Sequence, residues 1–152
     1  GDDALFGTEY SERLEGRGGN DTLFGGPGGD DVFVVGVGGQ DVIVDFAGSD
    51  TLILDGVAPD QIERIREPFS SDLVLRVAGT TDTVRIGGWF SPWGPDFRIE
   101  QIQFDDGTLW DPLTASALRY LGTAVNDFLG GTDYSERLEG FGGSDSFFGG
   151  GG

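Results

Sequence analysis

Acidic residues recur at an almost constant spacing through the first third of the chain. The intervals between them are 9, 9, 10, 10 and 9 residues, and the acids are Asp3, Glu12, Asp21, Asp31, Asp41 and Asp50. An apolar residue stands two positions after each acid: Leu5, Leu14, Leu23, Phe33, Ile43 and Leu52. Carboxylate oxygens are the ligands that hard cations such as Ca²⁺ and Mg²⁺ prefer. The spacing therefore indicates repeated cation binding.

The composition excludes several other kinds of chemistry. The chain has 152 residues, with 9 Arg plus Lys against 27 Asp plus Glu, a formal net charge of −18, and no His or Cys. Without His or Cys there is no Ser-His-Asp triad, no cysteine nucleophile and no ordinary zinc site. The negative charge opposes nucleic-acid binding, and no apolar run is long enough to span a membrane. Paired acids could hydrolyse glycosides, but the repeat accounts for every phased acid, so we expect no enzyme activity.

Glycine and short β-forming segments give the acids a structural context. Glycine stands two residues before most acids, as at Gly19, Gly29, Gly39 and Gly48. Glycine permits positive φ and lets backbone carbonyls approach an ion. The residues after each acid, such as 22–24 and 42–44, favour strands with one inward side chain. Each unit is therefore predicted to be a turn followed by a short strand.

Two such units would make one coil, so alternate acids should share an edge. The spacing predicts that Asp3, Asp21 and Asp41 line one edge, and that Glu12, Asp31 and Asp50 line the other. Carboxylates stacked at about the 4.8 Å distance of neighbouring strands repel one another unless a cation lies between them. The inward apolar residues would stack into a thin core.

A longer repeat links the two ends of the chain. Residues 3–26 and 127–150 are 124 positions apart and are identical at 17 of 24 positions. Asp127 and Asp145 in the second copy correspond to Asp3 and Asp21, and Gly143 corresponds to Gly19. We therefore expect the chain to be a piece of a longer polypeptide built from such units.

The nine-residue units resemble the glycine- and aspartate-rich repeats of the RTX family, the haemolysin-type calcium-binding proteins. The clearest units are residues 16–24, 26–34 and 36–44. The resemblance implies an all-β fold, a parallel β-roll in which aspartates and glycine carbonyls of neighbouring turns share about 3–5 calcium ions. Carried onto this sequence, the predicted ligands are Asp3, Gly19, Asp21, Gly29, Asp31, Gly39, Asp41, Gly48, Asp50, Asp127, Gly143 and Asp145.

Two turns depart from the family pattern. Glu12 and Glu136 stand where the family has Asp, and Tyr10 and Tyr134 replace a turn glycine. Whether either Glu is a ligand stays open. The longer side chain of Glu12 favours an ion pair with a nearby arginine, such as Arg13, over a calcium site.

The middle of the chain has a different character. Alternating segments predict strands at 61–66, 72–77, 82–86, 97–104 and 108–110, with a hairpin turn at 105–108. Asp111 before Pro112 predicts a helix over about 112–121 that ends at Gly122. Residues 72–108 resemble the domain that accompanies RTX repeats in many secreted proteins, which carries no catalytic residues over. It would cap the open end of the roll.

The aromatic residues of this segment have two interpretations. Trp89, Phe90, Trp93, Phe97 and Trp110 could form a patch that stacks on sugars or binds a partner. They could also fill the core of the cap, which we expect because so small a core has little other bulk.

These observations predict three regions: a β-roll at 1–54, a β-rich cap at 55–125 and the start of another roll at 126–152. We expect a calcium-binding structural module of a large secreted bacterial protein. The resemblance implies type I secretion of the unfolded chain, then folding on calcium at the cell surface or outside the cell. Its partners would be calcium, the secretion machinery and neighbouring repeat units. The alternative is an adhesin or surface-layer repeat that contacts a glycan or another surface ligand.

Overall fold

A computed structural model describes residues 1–91, 97–115, 119–131 and 136–151. Its first six strands are short and separated by glycine-rich turns. They are β1 (Ala4–Phe6), β2 (Arg13–Arg17), β3 (Thr22–Phe24), β4 (Val32–Val35), β5 (Gln40–Val44) and β6 (Thr51–Leu54). The later strands are β7 (Ile62–Arg66), β8 (Leu73–Val77), β9 (Thr83–Ile86), β10 (Gln101–Phe104), β11 (Leu109–Trp110), β12 (Arg119–Leu121), β13 (Phe128–Gly130), β14 (Arg137–Glu139) and β15 (Ser146–Phe148).

The first six strands form a parallel β-roll, as predicted. Strands β1, β3 and β5 pair in parallel in one sheet, and β2, β4 and β6 pair in parallel in the other. Each coil therefore contributes one strand to each sheet. The register aligns Leu23 with Ile43 in the first sheet and Phe33 with Leu52 in the second. These four side chains are fully buried, so the inward apolar positions make a continuous core.

The middle segment continues both sheets of the roll. Strand β9 pairs in parallel with β5, and β10 pairs in parallel with β6. Strands β8 and β7 then extend the first sheet in antiparallel order, and β11 closes a hairpin on β10. Four of the five strands predicted for this segment are present within a residue or so of their predicted bounds, but the one predicted at 97–104 covers only Gln101–Phe104. Strands β9 and β10 cover the edges of the roll that β5 and β6 would otherwise expose.

The predicted helix at 112–121 is shorter than expected. The helix α1 covers Pro112–Ala115, where the Asp111 carboxylate accepts a hydrogen bond from the Thr114 N–H at 2.8 Å and so caps its start. Residues 119–121 are strand β12, which pairs in parallel with β7. The backbone N–H and C=O groups at the edge of β7 require hydrogen-bond partners, and residues 119–121 supply them as a strand. This pairing prevails over the apolar spacing, which alone predicted a longer helix. No helix in the described ranges is long and apolar enough to cross a membrane.

The hairpin turn after β10 agrees with the sequence. The Asp106 carboxylate accepts a hydrogen bond from the Thr108 N–H at 2.8 Å, and Gly107 adopts a φ of 84°. Asp106 therefore stabilises the turn, and nothing about its position suggests a cation site.

The second copy of the long repeat begins the same arrangement again. Strands β13 and β15 pair in parallel, and β14 joins the first sheet beside β12. Successive strands thus alternate between two sheets, as they do in the roll. The division into regions 1–54, 55–125 and 126–152 stays a prediction, because both sheets run across the first boundary.

The aromatic residues of the middle segment are mostly core. Trp89 is fully buried, Trp110 is 8% exposed, and Phe90 packs against the same core. Phe97 makes an edge-on contact with Phe46 of the roll, with ring centroids 5.8 Å apart. The position of Trp93 lies outside the described residues. The core interpretation of this cluster therefore holds for the residues the structure describes.

Candidate metal centres

The acids of the first edge are linked by backbone-to-carboxylate hydrogen bonds. The Asp21 carboxylate accepts the Asp3 N–H at 2.8 Å, and the Asp41 carboxylate accepts the Asp21 N–H at 2.9 Å. Asp82, which precedes β9, accepts the Gly39 N–H at 3.4 Å and extends this edge into the middle segment. Each carboxylate is thereby fixed beneath the turn one coil earlier.

The second edge repeats this pattern. The Asp31 carboxylate accepts the Glu12 N–H, and the Asp50 carboxylate accepts the Asp31 N–H, both at 2.8 Å. The Asp50 N–H in turn donates a hydrogen bond to the carboxylate of Glu100, at 2.7 Å. The structure thus places the two groups of acids on the two edges that their spacing predicts. Glu100 and Asp82 were missed, because neither lies in a glycine-rich unit.

Each of these hydrogen bonds uses only one oxygen of the carboxylate. The Oδ2 atoms of Asp21, Asp31 and Asp50 are buried and have no hydrogen-bond partner. All three residues are about 1% exposed. A buried carboxylate oxygen without a partner is costly, because it has lost water and gained nothing. These atoms fit a calcium ion, which prefers such oxygens.

Glycines bring consecutive turns close together at the predicted positions. A Cβ at Gly39 would collide with the carbonyl oxygen of Gly19, and a Cβ at Gly48 would collide with that of Gly29. Gly39 has a φ of 133° and Gly48 a φ of 148°, which disfavour any other residue. The carbonyls of Gly19 and Gly29 therefore lie within the same turn stack as the free aspartate oxygens.

Glu12 is not paired with Arg13, which corrects the prediction made from the sequence. Both the backbone N–H and the hydroxyl of Thr8 donate hydrogen bonds to the Glu12 carboxylate. These bonds lower the pKa of Glu12. Arg13 instead pairs with Glu15 at 2.7 Å. The Glu12 side chain is one methylene longer than that of Asp, so it reaches back to the start of its own turn. There Thr8 donates hydrogen bonds to its carboxylate.

The second copy of the repeat reproduces one of the backbone-to-carboxylate hydrogen bonds of the first edge. The Asp145 carboxylate accepts the Asp127 N–H at 3.0 Å, as Asp21 does from Asp3. Gly143 has a φ of 104° and lies under the carbonyl of Val125. The Asp127 carboxylate accepts hydrogen bonds from the Thr123 hydroxyl and N–H, so its oxygens are less available than that of Asp21. Asp3, at the other end, is exposed.

Asp45 is a buried acid that the repeat analysis missed. It is 1% exposed, and neither carboxylate oxygen has a hydrogen-bond partner. Asp45 stands two residues after the inward Ile43, where Gly7 and Gly25 stand after Leu5 and Leu23. An acid at a position where earlier units have glycine is the feature of the sequence that could have indicated a further ligand. The nine- or ten-residue spacing of the other acids does not include Asp45, so that spacing did not predict it.

Burial and mutual repulsion raise the pKa values of several of these acids. The pKa of Asp41 is raised to about 6, chiefly by burial and then by the charges of Asp21 and Asp82. The pKa of Asp45 is raised to about 8, again chiefly by burial, with Asp50 and Asp31 adding to the effect. The pKa of Asp31 is raised for the same reasons. Without a cation the folded roll therefore holds protons that the unfolded chain releases.

These pKa values predict how acidity affects the metal-free protein. Since the folded pKa exceeds the ordinary value of 3.8, the stabilisation is present below about pH 4 and is lost as the pH rises through 6 and then 8. In EDTA, the circular dichroism spectrum should show more β-structure at pH 5.5 than at pH 8. In calcium the order should reverse or vanish, because binding requires ionised carboxylates. Metal-free stability that is flat or rises over this range would contradict the burial described here.

Comparisons with known families agree with this geometry. Residues 6–36 and 121–152 match the model of the RTX calcium-binding nonapeptide repeat (4 copies). Residues 72–112 match the model of the haemolysin-type calcium binding protein related domain. A search of the curated proteins gave no significant match. The chain therefore carries RTX calcium-binding nonapeptide repeats at residues 6–36 and 121–152 and a haemolysin-type calcium binding protein related domain at residues 72–112.

Proposed function

We propose that this chain is a calcium-dependent folding module of a secreted protein. The proposal rests on the buried, unpartnered Oδ2 atoms of three aspartates, Asp21 on the first edge of the roll and Asp31 and Asp50 on the second. The proposed ligand residues are those named from the repeat: Asp3, Gly19, Asp21, Gly29, Asp31, Gly39, Asp41, Gly48, Asp50, Asp127, Gly143 and Asp145.

Bound calcium would supply the positive charge that the roll lacks. About four ions, near the middle of the expected range, carry eight positive charges and would reduce the formal net charge from −18 to −10. The ion pairs among the described residues join arginines to Glu15, Glu63, Glu67, Asp72 and Glu139, and none of these pairs includes an aspartate of the two edges. The binding free energy of each ion then adds to the folding free energy.

This dependence fits a protein that is exported before it folds. RTX repeats occur typically in secreted proteins, and extracellular calcium modules bind with dissociation constants of about 10⁻⁴–10⁻³ M. A roll with such sites is unfolded at intracellular calcium levels and folded outside the cell. The same proposal includes export by a type I system and a location at the cell surface or outside the cell. It also includes stacking against neighbouring repeat units of the same polypeptide. The matched repeats are structural calcium-binding elements, and we assign no catalytic role to them.

The alternative, an adhesive array, depended on either the aromatic side chains of the cap or a face of the roll being available to a ligand. Trp89 is fully buried and cannot stack on a sugar. Trp93 lies outside the described residues, so it adds no support. The calcium-dependent module is favoured because it accounts for the buried, unpartnered aspartate oxygens.

Isothermal titration calorimetry, combined with circular dichroism, tests the proposal. Calcium should bind at about 3–5 sites per chain, and the β-structure signal should rise over the same concentration range. Magnesium serves as the control and should be much less effective, because it demands a more rigid octahedral geometry. Absence of heat and of spectral change up to about 10 mM calcium, well above the expected dissociation constants, would overturn the proposed function.

A further inference from the structure

Asp45 differs from the other acids of the roll in its position within the repeat. Residues 41–45 alternate between inward and outward faces, with Asp41, Ile43 and Asp45 buried. Because strand residues two apart share a face, Asp45 points into the roll beside the core. The glycine found at this position in three other units, at Gly7, Gly16 and Gly25, contributes no side chain there, whereas Asp45 contributes a carboxylate.

The carboxylate of Asp45 completes a cluster with two acids of the second edge. Oxygens of Asp31, Asp45 and Asp50 all lie within 4.8 Å of one another. Both oxygens of Asp45 and one oxygen of each of the other two residues are buried and unpartnered. A Cβ at Gly25 would collide with Oδ1 of Asp45 and would lie 2.7 Å from Oδ2 of Asp31. The space over Gly25 is thus where these oxygens converge.

Three buried carboxylates at this separation repel one another strongly in a poorly solvated interior. A divalent cation would remove most of that repulsion and would satisfy the four unpartnered oxygens together. Sites with more carboxylates bind calcium more tightly, as ligand charge is one of the quantities that set affinity. The gaps Asp3/Asp21, Asp21/Asp41 and Glu12/Asp31 are each lined by two phased acids.

We propose that Asp31, Asp45 and Asp50 form a three-carboxylate calcium site that binds more tightly than the two-acid gaps elsewhere in the roll. This inference rests on the proposed calcium-binding function and adds a ligand outside the nonapeptide pattern. The site lies where the roll meets the middle segment, since the Asp50 N–H is donated to Glu100 and β6 pairs with β10. It therefore fills first as calcium rises, and it joins the last coil of the roll to the strands that cover it.

A titration of the whole chain against a calcium-chelating indicator tests the site. The wild type should show one ion bound about tenfold or more tightly than the rest. Asp45→Asn keeps the size of the side chain and removes its charge, and Asp45→Gly restores the residue found in other units. Both variants should lose the tight ion and keep the weaker ones. Asp60→Asn, which removes an exposed charge at Pro59–Gln61, is the matched control and should retain it.

The outcomes separate this inference from the proposed function. Retention of a tight ion in Asp45→Asn, or absence of a tight class in the wild type alongside normal calcium binding, would overturn the three-carboxylate site only. Absence of all calcium binding by the wild type would overturn the proposed function as well. Loss of folding does not obscure the result, because Asp45→Asn removes a buried repulsive charge and should raise the metal-free β-structure signal at pH 8. A metal-free signal of Asp45→Asn no higher than that of the wild type would also count against the cluster.

Discussion

Chelation of calcium with EGTA at pH 8 should abolish the β-structure of the roll. Its strands are only three to five residues long, and such short strands cannot hold a solenoid by backbone hydrogen bonds and one row of apolar side chains alone. The buried acids of both edges would also lack a counter-charge. Circular dichroism should show loss of the roll's signal in EGTA and its return when calcium is added back in excess.

The middle segment should keep part of its structure under the same conditions. Strands β7, β8 and β9 form antiparallel pairs, and their core includes the fully buried Leu73, Ile86 and Trp89. Arg85 pairs with Glu67 and Asp72, so charges in this segment have partners within it. The tryptophan fluorescence of the chain, to which the buried Trp89 contributes with Trp93 and Trp110, reports on this core. Retention of the complete β signal in EGTA would contradict the prediction for the roll.

Asp31→Asn should weaken calcium-driven folding more than any charge-removing change on the surface. The Asp31 carboxylate accepts the Glu12 N–H, its own N–H is donated to Asp50, and its free oxygen faces Asp45. It therefore belongs to two gaps between turns, one of which is the three-carboxylate cluster. The midpoint of a calcium titration followed by circular dichroism should rise about tenfold or more, because ligand charge sets calcium affinity.

The matched control for this change is again Asp60→Asn. Both substitutions remove one negative charge, so a general effect of net charge would shift the two midpoints equally. We expect the Asp60→Asn midpoint to stay within about twofold of the wild type, as long-range surface charges are screened by salt. Equal midpoints for the two variants would contradict the position assigned to Asp31.

The sequence was sufficient to predict the roll and its two edges. A period of nine or ten residues leaves room for one turn and one short strand, so two units return the chain to the same edge. The pairing of Leu23 with Ile43 and of Phe33 with Leu52 follows from that period. The extra residue at Gly25 leaves β3 and β5 in register. At Val35 the pairing of β2 with β4 is irregular, with a register shift between Glu15 and Arg17.

Other features depended on contacts that no spacing reveals. Glu12 is held by Thr8, a local hydrogen bond that competes with the ion pair to Arg13. Residues 119–121 form a strand because β7 presents an edge to them, although their apolar spacing suits a helix. Asp45 occupies a glycine position, and its significance appears only when Asp31 and Asp50 are seen to converge on it. In each case a tertiary contact decides the outcome.

Hydrogen exchange with and without calcium is the most direct test of the claim that calcium holds the roll together. The amides to follow belong to Thr22 and Val42, which donate hydrogen bonds to the carbonyls of Asp3 and Asp21 across successive coils, at 2.8 Å each. Calcium should protect both amides strongly, and EGTA at pH 8 should make them exchange at nearly unfolded rates while amides of β8 remain partly protected. Full protection of Thr22 and Val42 in EGTA would show that the acids only decorate the surface and would contradict calcium-dependent folding.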